Sequence, residues 1–76
     1  MPKLPAVSGP ETVRALERAG FVHRRQAGSH AILKHPDTRR TVSVPEHGAR
    51  DLPDGTLRGI LRDAGLSVEQ FAALLR

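Results

Sequence analysis

The sequence contains no cysteine, no tryptophan and no tyrosine, and only two phenylalanines among its 76 residues. Without cysteine the chain can form neither a disulfide nor a thiolate metal site, which fits a reducing compartment. No apolar run resembles a signal peptide or reaches the length of a membrane span, so we expect a cytoplasmic protein with no membrane partner. The scarcity of aromatic rings also removes the usual platform for stacking nucleic-acid bases.

Positive charge is concentrated in one part of the chain. Residues 1–40 hold eight Lys or Arg against three Asp or Glu, whereas residues 41–76 hold four against five. Within residues 21–40 the cations are Arg24, Arg25, Lys34, Arg39 and Arg40, opposed only by Asp37. Such clustering is typical of a surface that binds phosphate groups. The alternative is an ordinary solvated face of a small protein.

The pattern of caps, apolar spacing and turn residues predicts the element order α-β-β-β-α-α in a single domain, residues 1–76. The proline-rich residues 1–7 are expected to be loose. Ser8 and Glu11 have the spacing of a capping box, which predicts a helix over about 9–19 ended by Gly20. Extended runs over 21–27, 29–35 and 41–44 predict three strands. A helix from about 53 to Gly65 and a short helix opened by a second capping box at Ser67 complete the chain.

These elements predict an α+β fold in which helices cover one face of a three-stranded antiparallel sheet. The double-stranded-RNA-binding domain has a related order, α-β-β-β-α, which is a fold-level analogy only.

His30 stands within the basic stretch, and three chemistries are open to it. A metal site shared with His35 is disfavoured, because residues five apart on a strand point to opposite faces, and no carboxylate or cysteine completes a set with His47. We therefore expect no metal. A dyad with Ser29 is disfavoured because neighbours on a strand diverge, unless Gly28 and Ser29 form a bend.

General acid–base catalysis remains for His30. The unperturbed pKa of histidine is about 6.5, so its ring can accept or donate a proton near neutral pH. RNA carries its own nucleophile, the ribose 2′-OH, so a ribonuclease needs little more than a base, a proton donor and cations around the phosphate. Lys34 shares the strand face of His30, and either Arg24 or Arg25 should join them from the neighbouring strand. A surface histidine that happens to lie in a basic patch is the alternative.

A series of short motifs adds a family resemblance. In chain order they are GFV (20–22), RQAGSH (25–30), KHPD (34–37), VP (44–45), HG (47–48), LP (52–53), GTLRGIL (55–61) and AGLS (64–67). In this order and spacing the series resembles the HicA toxins, the small mRNA interferases of HicA–HicB toxin–antitoxin modules. The likeness runs from about Ser8 to Leu75. Many members carry a polar residue or histidine in place of Ala31 and an aromatic in place of Leu33, which should affect packing more than chemistry.

The resemblance implies a double-stranded-RNA-binding-like fold, ribonuclease activity on mRNA, and neutralisation by a HicB antitoxin that covers the active site. We expect no cofactor. It makes His30, in the Gly-Ser-His motif, the catalytic histidine. We expect Arg24, Arg25, Lys34, Arg39 and Arg40 to hold phosphate, and His47 either to supply a second proton transfer or to be structural. The rival functions are a non-catalytic RNA-binding module and an inactive scaffold that binds the antitoxin.

Overall fold

The computed structural model describes residues 3–76 and has the predicted order of elements. The helices are α1 (Gly9–Arg18), α2 (Asp54–Ala64) and α3 (Val68–Leu74), and the strands are β1 (Val22–Ala27), β2 (His30–Lys34) and β3 (Thr41–Pro45). The strands form one antiparallel sheet in the order β1-β2-β3. The predicted α+β fold is therefore confirmed. Within residues 3–76 no helix is long and apolar enough to cross a membrane.

Both predicted capping boxes are present, and they explain where two helices begin. The Glu11 N–H donates to the Ser8 hydroxyl, and the Ser8 N–H donates to the Glu11 carboxylate at 2.9 Å. Ser67 and Gln70 make the same reciprocal pair at the start of α3. Each box satisfies N–H groups that the helix itself leaves without a partner.

The core lies between the helices and one face of the sheet. Alternate residues of β2 and β3 point to this face, so Ala31, Leu33, Val42 and Val44 are buried. They pack in one cluster with Leu16, Phe21, Ile60 and Ala64. A second cluster joins the helices to the N-terminal segment through Leu4, Val7, Ala15, Leu57, Leu61 and Phe71.

The N-terminal segment differs from the expectation that residues 1–7 are loose. Leu4 and Val7 are buried, and the Leu52 N–H donates to the Val7 carbonyl at 2.8 Å. Apolar side chains between prolines therefore close one side of the helical layer. Met1 and Pro2 lie outside the described residues.

Strand β1 is situated differently from its neighbours. It is an edge strand paired with β2, and all six of its residues are exposed, whereas α1 and α2 pack against β3 at the opposite edge. A β-bulge interrupts its pairing between His23 and Arg25. The face of the sheet away from the helices, here called the outer face, carries His30, Ile32 and Lys34 on β2.

Candidate active site

His30 is the first residue of β2 and is exposed on the outer face. It lies between Ala27 of β1 and Pro45 of β3 in the pairing register. The chain enters the strand through a two-residue turn, Gly28-Ser29, in which Gly28 has a φ of 61°. Glycine adopts this left-handed conformation without the steric penalty that a side chain brings. The tight turn therefore puts the histidine at the end of the hairpin, at the margin of the sheet.

His47 lies next to His30, although 17 positions separate them in the sequence. The centroids of the two rings are 6.3 Å apart and the ring planes are nearly perpendicular, at 87°. His47 belongs to the loop that leaves β3, and this loop is tied to the hairpin turn by the Glu46 N–H, which donates to the Ser29 carbonyl at 2.6 Å. The two histidines are thus brought together by main-chain geometry.

A side-chain hydrogen bond adds to this connection. The Gln26 amide donates to the Glu46 carboxylate at 3.0 Å, which joins β1 to the loop one residue before His47. Where β3 ends, Gly9 lies so close to Pro45 that a Cβ on Gly9 would overlap the Pro45 carbonyl oxygen. The start of α1 therefore fixes where the loop departs from the sheet.

The two histidines line one depression of about 360 Å³, here called the histidine pocket. Its other lining residues are Pro45, Arg50, Asp51, Leu52, Pro53 and Thr56. Among the described residues that line it, Arg50 supplies a guanidinium group and Asp51 a carboxylate. Pro53 provides no side-chain cap to α2, so the N–H groups of the first turn, including that of Thr56, lack a side-chain acceptor. A helix N-terminus of this kind favours anions through its free N–H groups and its dipole.

Three of the predicted cations gather around a second depression, of about 260 Å³, at the other end of β2. Arg24, Lys34 and Arg39 line it together with Val22 and Pro36, and we call it the basic depression. It is separated from His30 by the length of β2. Four residues of strand span about 13 Å. Lys34 therefore belongs to a different part of the outer face from the histidine pocket.

Both arginines of β1 reach the outer face, whereas strand alternation predicts only one. Arg25 pairs with Ile32, which points outward, and Arg24 lines the basic depression beside Lys34. The bulge between His23 and Arg25 is the physical reason, because an inserted residue breaks the alternation of side chains along a strand.

Arg40 is directed elsewhere. Its guanidinium donates to the Asp63 carbonyl at 3.3 Å and lies over Gly65, at the C-terminal end of α2. A cation at this position satisfies carbonyl groups that the helix end leaves unpaired. The structure therefore does not bring Arg40 together with the other predicted phosphate ligands.

His35 is on the opposite side of the sheet from His30, as their spacing predicts. Its Nδ1 accepts hydrogen bonds from the main-chain N–H groups of Asp37 and Thr38, at 3.1 and 3.2 Å. Because Nδ1 is an acceptor, the proton is on Nε2, which donates to the Ala19 carbonyl at 3.2 Å. The ring also packs edge-on against Phe21, with centroids 5.1 Å apart.

Two other roles were considered for His30, a dyad with Ser29 and a metal site. Gly28 and Ser29 do form a turn, the Ser29 carbonyl accepts a hydrogen bond from the Glu46 N–H, and the His30 ring lies edge-on to that of His47. Within residues 3–76, no three His, Asp or Glu side chains form a group that would hold a metal ion.

Sequence reasoning did not single out three polar residues of the histidine pocket, Arg50, Asp51 and Thr56. The available signal was weak: Arg50 is a cation three residues after a histidine in a polar loop, and Thr56 belongs to the first turn of a helix without a capping side chain. Both features point to a site only once the loop after β3 is folded against His30.

Comparison with known proteins identifies the class to which this chain belongs. A sequence profile for the family described as HicA toxin of bacterial toxin–antitoxin systems matches residues 9–66, about three quarters of the chain. The protein is thus a toxin of the toxin–antitoxin class, and it belongs to the HicA family. Membership implies an antitoxin partner. No protein of curated function matched the chain.

Proposed function

We propose that this toxin is an endoribonuclease that cleaves mRNA, with His30 as a general acid or base and without a metal ion or cofactor. The observation that carries the proposal is the histidine pocket. There, His30 and His47 are exposed, 6.3 Å apart, and share a depression with Arg50 and the N-terminus of α2. The ribose of RNA supplies the 2′-OH nucleophile, so two proton-transfer groups and donors for the phosphate oxygens meet the chemical requirement.

The proposed reaction is a transesterification. One histidine accepts the 2′-OH proton while the 2′ oxygen forms a bond to phosphorus. The bond from phosphorus to the 5′ oxygen breaks, and the other histidine donates a proton to that oxygen. The products are a 2′,3′-cyclic phosphate and a free 5′-OH. Arg50 and the first-turn N–H groups of α2 stabilise the charge that develops on the non-bridging oxygens.

The substrate strand extends from the histidine pocket across the outer face. Arg24, Arg25 and Arg39 are exposed there and Lys34 is half-buried, and we assign them to phosphates along the strand beyond the cleaved bond. We leave Arg40 out of this group because its guanidinium donates a hydrogen bond to the Asp63 carbonyl at the end of α2. The partner that neutralises the toxin is proposed to be a HicB-type antitoxin that covers the histidine pocket.

Cleavage of RNA in the presence of a chelator tests the proposal, with wild type compared with His30→Ala. General acid–base catalysis contributes about 10²–10⁴-fold to a rate, so we expect a loss of that size while RNA binding persists. The matched control is His23→Ala, because His23 is also an exposed histidine and pairs with the inward-facing Leu33. Its ring is hydrogen-bonded to Gln26, so a loss of no more than about threefold is expected in this variant. A substrate with 2′-O-methyl groups throughout should resist wild type.

Three outcomes would contradict the proposal. Cleavage by His30→Ala at the wild-type rate would remove the histidine from the chemistry. Binding of RNA without cleavage by wild type would favour a non-catalytic RNA-binding module. Binding of the antitoxin with neither cleavage nor growth arrest on induction would favour an inactive scaffold.

A further inference from the structure

Two irregularities of the backbone meet at the basic depression. The bulge in β1 adds Arg24 to the outer face, and Arg39 has a φ of 65°, the only positive φ of a residue other than glycine within residues 3–76. A left-handed conformation is unfavourable for a residue with a Cβ and persists where the surroundings impose it. Each irregularity delivers one arginine to the same depression, opposite Lys34.

The lining has two chemical parts. Arg24, Lys34 and Arg39 supply three cations, and none of the residues that line this depression is acidic. Val22 and Pro36 supply an apolar surface, and Val22 is 47% exposed although it is a large aliphatic residue. Cations beside an apolar surface suit a nucleotide, whose phosphate is anionic and whose base has an apolar face.

The distance between the histidine pocket and the basic depression sets how many nucleotides separate the cleaved bond from a nucleotide bound in the basic depression. His30 and Lys34 lie on the same face at the two ends of β2, about 13 Å apart along the strand. A stacked nucleic-acid strand advances about 3.4 Å per nucleotide, so about four nucleotides cover the separation, and an extended strand needs about two. The phosphate being cleaved at His30 therefore cannot also occupy the basic depression.

We infer that the basic depression is a separate subsite for one nucleotide of the RNA strand, at a distance of about two to four nucleotides from the cleaved bond. This inference rests on the proposed function for the identity of the ligand as RNA. It adds that Arg24, Lys34 and Arg39 raise the affinity for RNA strands long enough to reach them and take no part in the chemistry.

Binding of uncleavable oligonucleotides of increasing length tests the subsite. The probes are 2′-O-methyl oligoribonucleotides of about two to ten nucleotides, a range set by typical single-strand site sizes. Wild-type affinity should rise by about tenfold at the length that first spans both depressions, since charge-assisted contacts to one phosphate are of that strength. Shorter probes should bind without this gain.

Two variants should abolish the rise in affinity with oligonucleotide length. Arg24→Gln removes one cation, and Arg39→Gly removes another while replacing the strained residue with one that accepts a positive φ. Arg39→Gly should therefore unfold at the same or a higher denaturant concentration, so a lost step cannot be attributed to misfolding. Each lost phosphate contact should also make the slope of log affinity against log salt about 0.7 shallower. Arg62→Gln, on the last turn of α2, is the control of equal charge change.

An affinity that does not depend on length would overturn the subsite, as would a step that persists unchanged in Arg24→Gln and Arg39→Gly. An equal loss in Arg62→Gln would also overturn it, because the effect would then follow net charge. The proposed nuclease activity is contradicted by a different result. If affinity rises with oligonucleotide length but RNA is never cleaved, the subsite stands and the ribonuclease activity does not.

Discussion

The two ends of β2 carry histidines with different surroundings. His35, just beyond the C-terminal end, uses both ring nitrogens in hydrogen bonds to the main chain and packs against Phe21. His30, at the N-terminal end, is exposed and faces His47 across a depression. An imidazole ring whose two nitrogens are both hydrogen-bonded to the main chain has a structural role. An exposed imidazole beside another imidazole can exchange protons with a ligand. Side-chain surroundings, more than residue type, therefore separate a structural histidine from a catalytic candidate.

At the His30 end of β2, the role of His47 in proton transfer can be tested by substitution. If both histidines transfer protons, His47→Ala should lower the cleavage rate by about 10²-fold, the lower part of the range for general acid–base catalysis, since an exposed loop lets water substitute in part. Activity that depends on one acid and one base has a bell-shaped pH profile, and the variant should lose one limb of it. Rates measured over a series of pH values provide the check; an unchanged profile would assign the second proton transfer to another group.

The other end is tested by His35→Ala, where the expected effect is on stability. The variant loses three hydrogen bonds and an aromatic contact, which together are worth about 2 kcal/mol because the Asp37 and Thr38 bonds are exposed to solvent. A chain of this size has a total stability of roughly 4–11 kcal/mol. Urea denaturation gives the change in unfolding free energy. At saturating RNA the cleavage rate of the folded fraction should match wild type, while RNA binding weakens because the lost bonds hold the turn between Pro36 and Arg39. A lower rate at saturating RNA would contradict the distinction between the two histidines.

A smaller effect is expected where Gln26 holds the loop that carries His47. Gln26→Ala removes the hydrogen bond to Glu46 together with those to His23 and the Gly28 carbonyl, and the main-chain bond from Glu46 to Ser29 remains. We expect the rate at saturating substrate to fall by about threefold, since a hydrogen bond contributes about 0.5–1.5 kcal/mol, with little change in KM. The double variant with His47→Ala should be no slower than His47→Ala alone. Additive losses would show that Gln26 acts through something other than His47.

Features of the fold that depend on neighbours in the sequence were predictable. The capping boxes at Ser8 and Ser67 and the alternation along β2 follow from local rules, and the structure has them. Features that depend on distant contacts were not. Leu4 and Val7 look like part of a loose proline-rich segment until the helical layer that they cover exists.

The positions of the cations in the candidate site also depend on contacts that the sequence does not reveal. Arg39 and Arg40 are adjacent and look equivalent in the sequence, but the left-handed conformation of Arg39 separates them, and they end at the basic depression and at α2 respectively. The proximity of His30 and His47 results from a loop folding onto a hairpin, which no periodicity encodes.

The smallest predicted effect separates the pH dependence of stability from that of activity. Hydrogen bonds from the Ser8 main-chain N–H and hydroxyl, aided by the positive charge of Arg14, hold the pKa of the Glu11 carboxyl below its ordinary value of 4.5. The unfolded chain therefore binds more protons in this range, so stability rises with pH. The contribution of Glu11 is complete above about pH 4.5 and is lost as the pH falls through its lower folded pKa. Urea denaturation of wild type and Glu11→Gln between about pH 3 and pH 6 should show a shallower acid decline in the variant. The cleavage profile near neutral pH should be the same in both proteins, because Glu11 lies on α1, outside the histidine pocket. A shift of that profile in Glu11→Gln would mean that the activity follows unfolding and not the histidines at the start of β2.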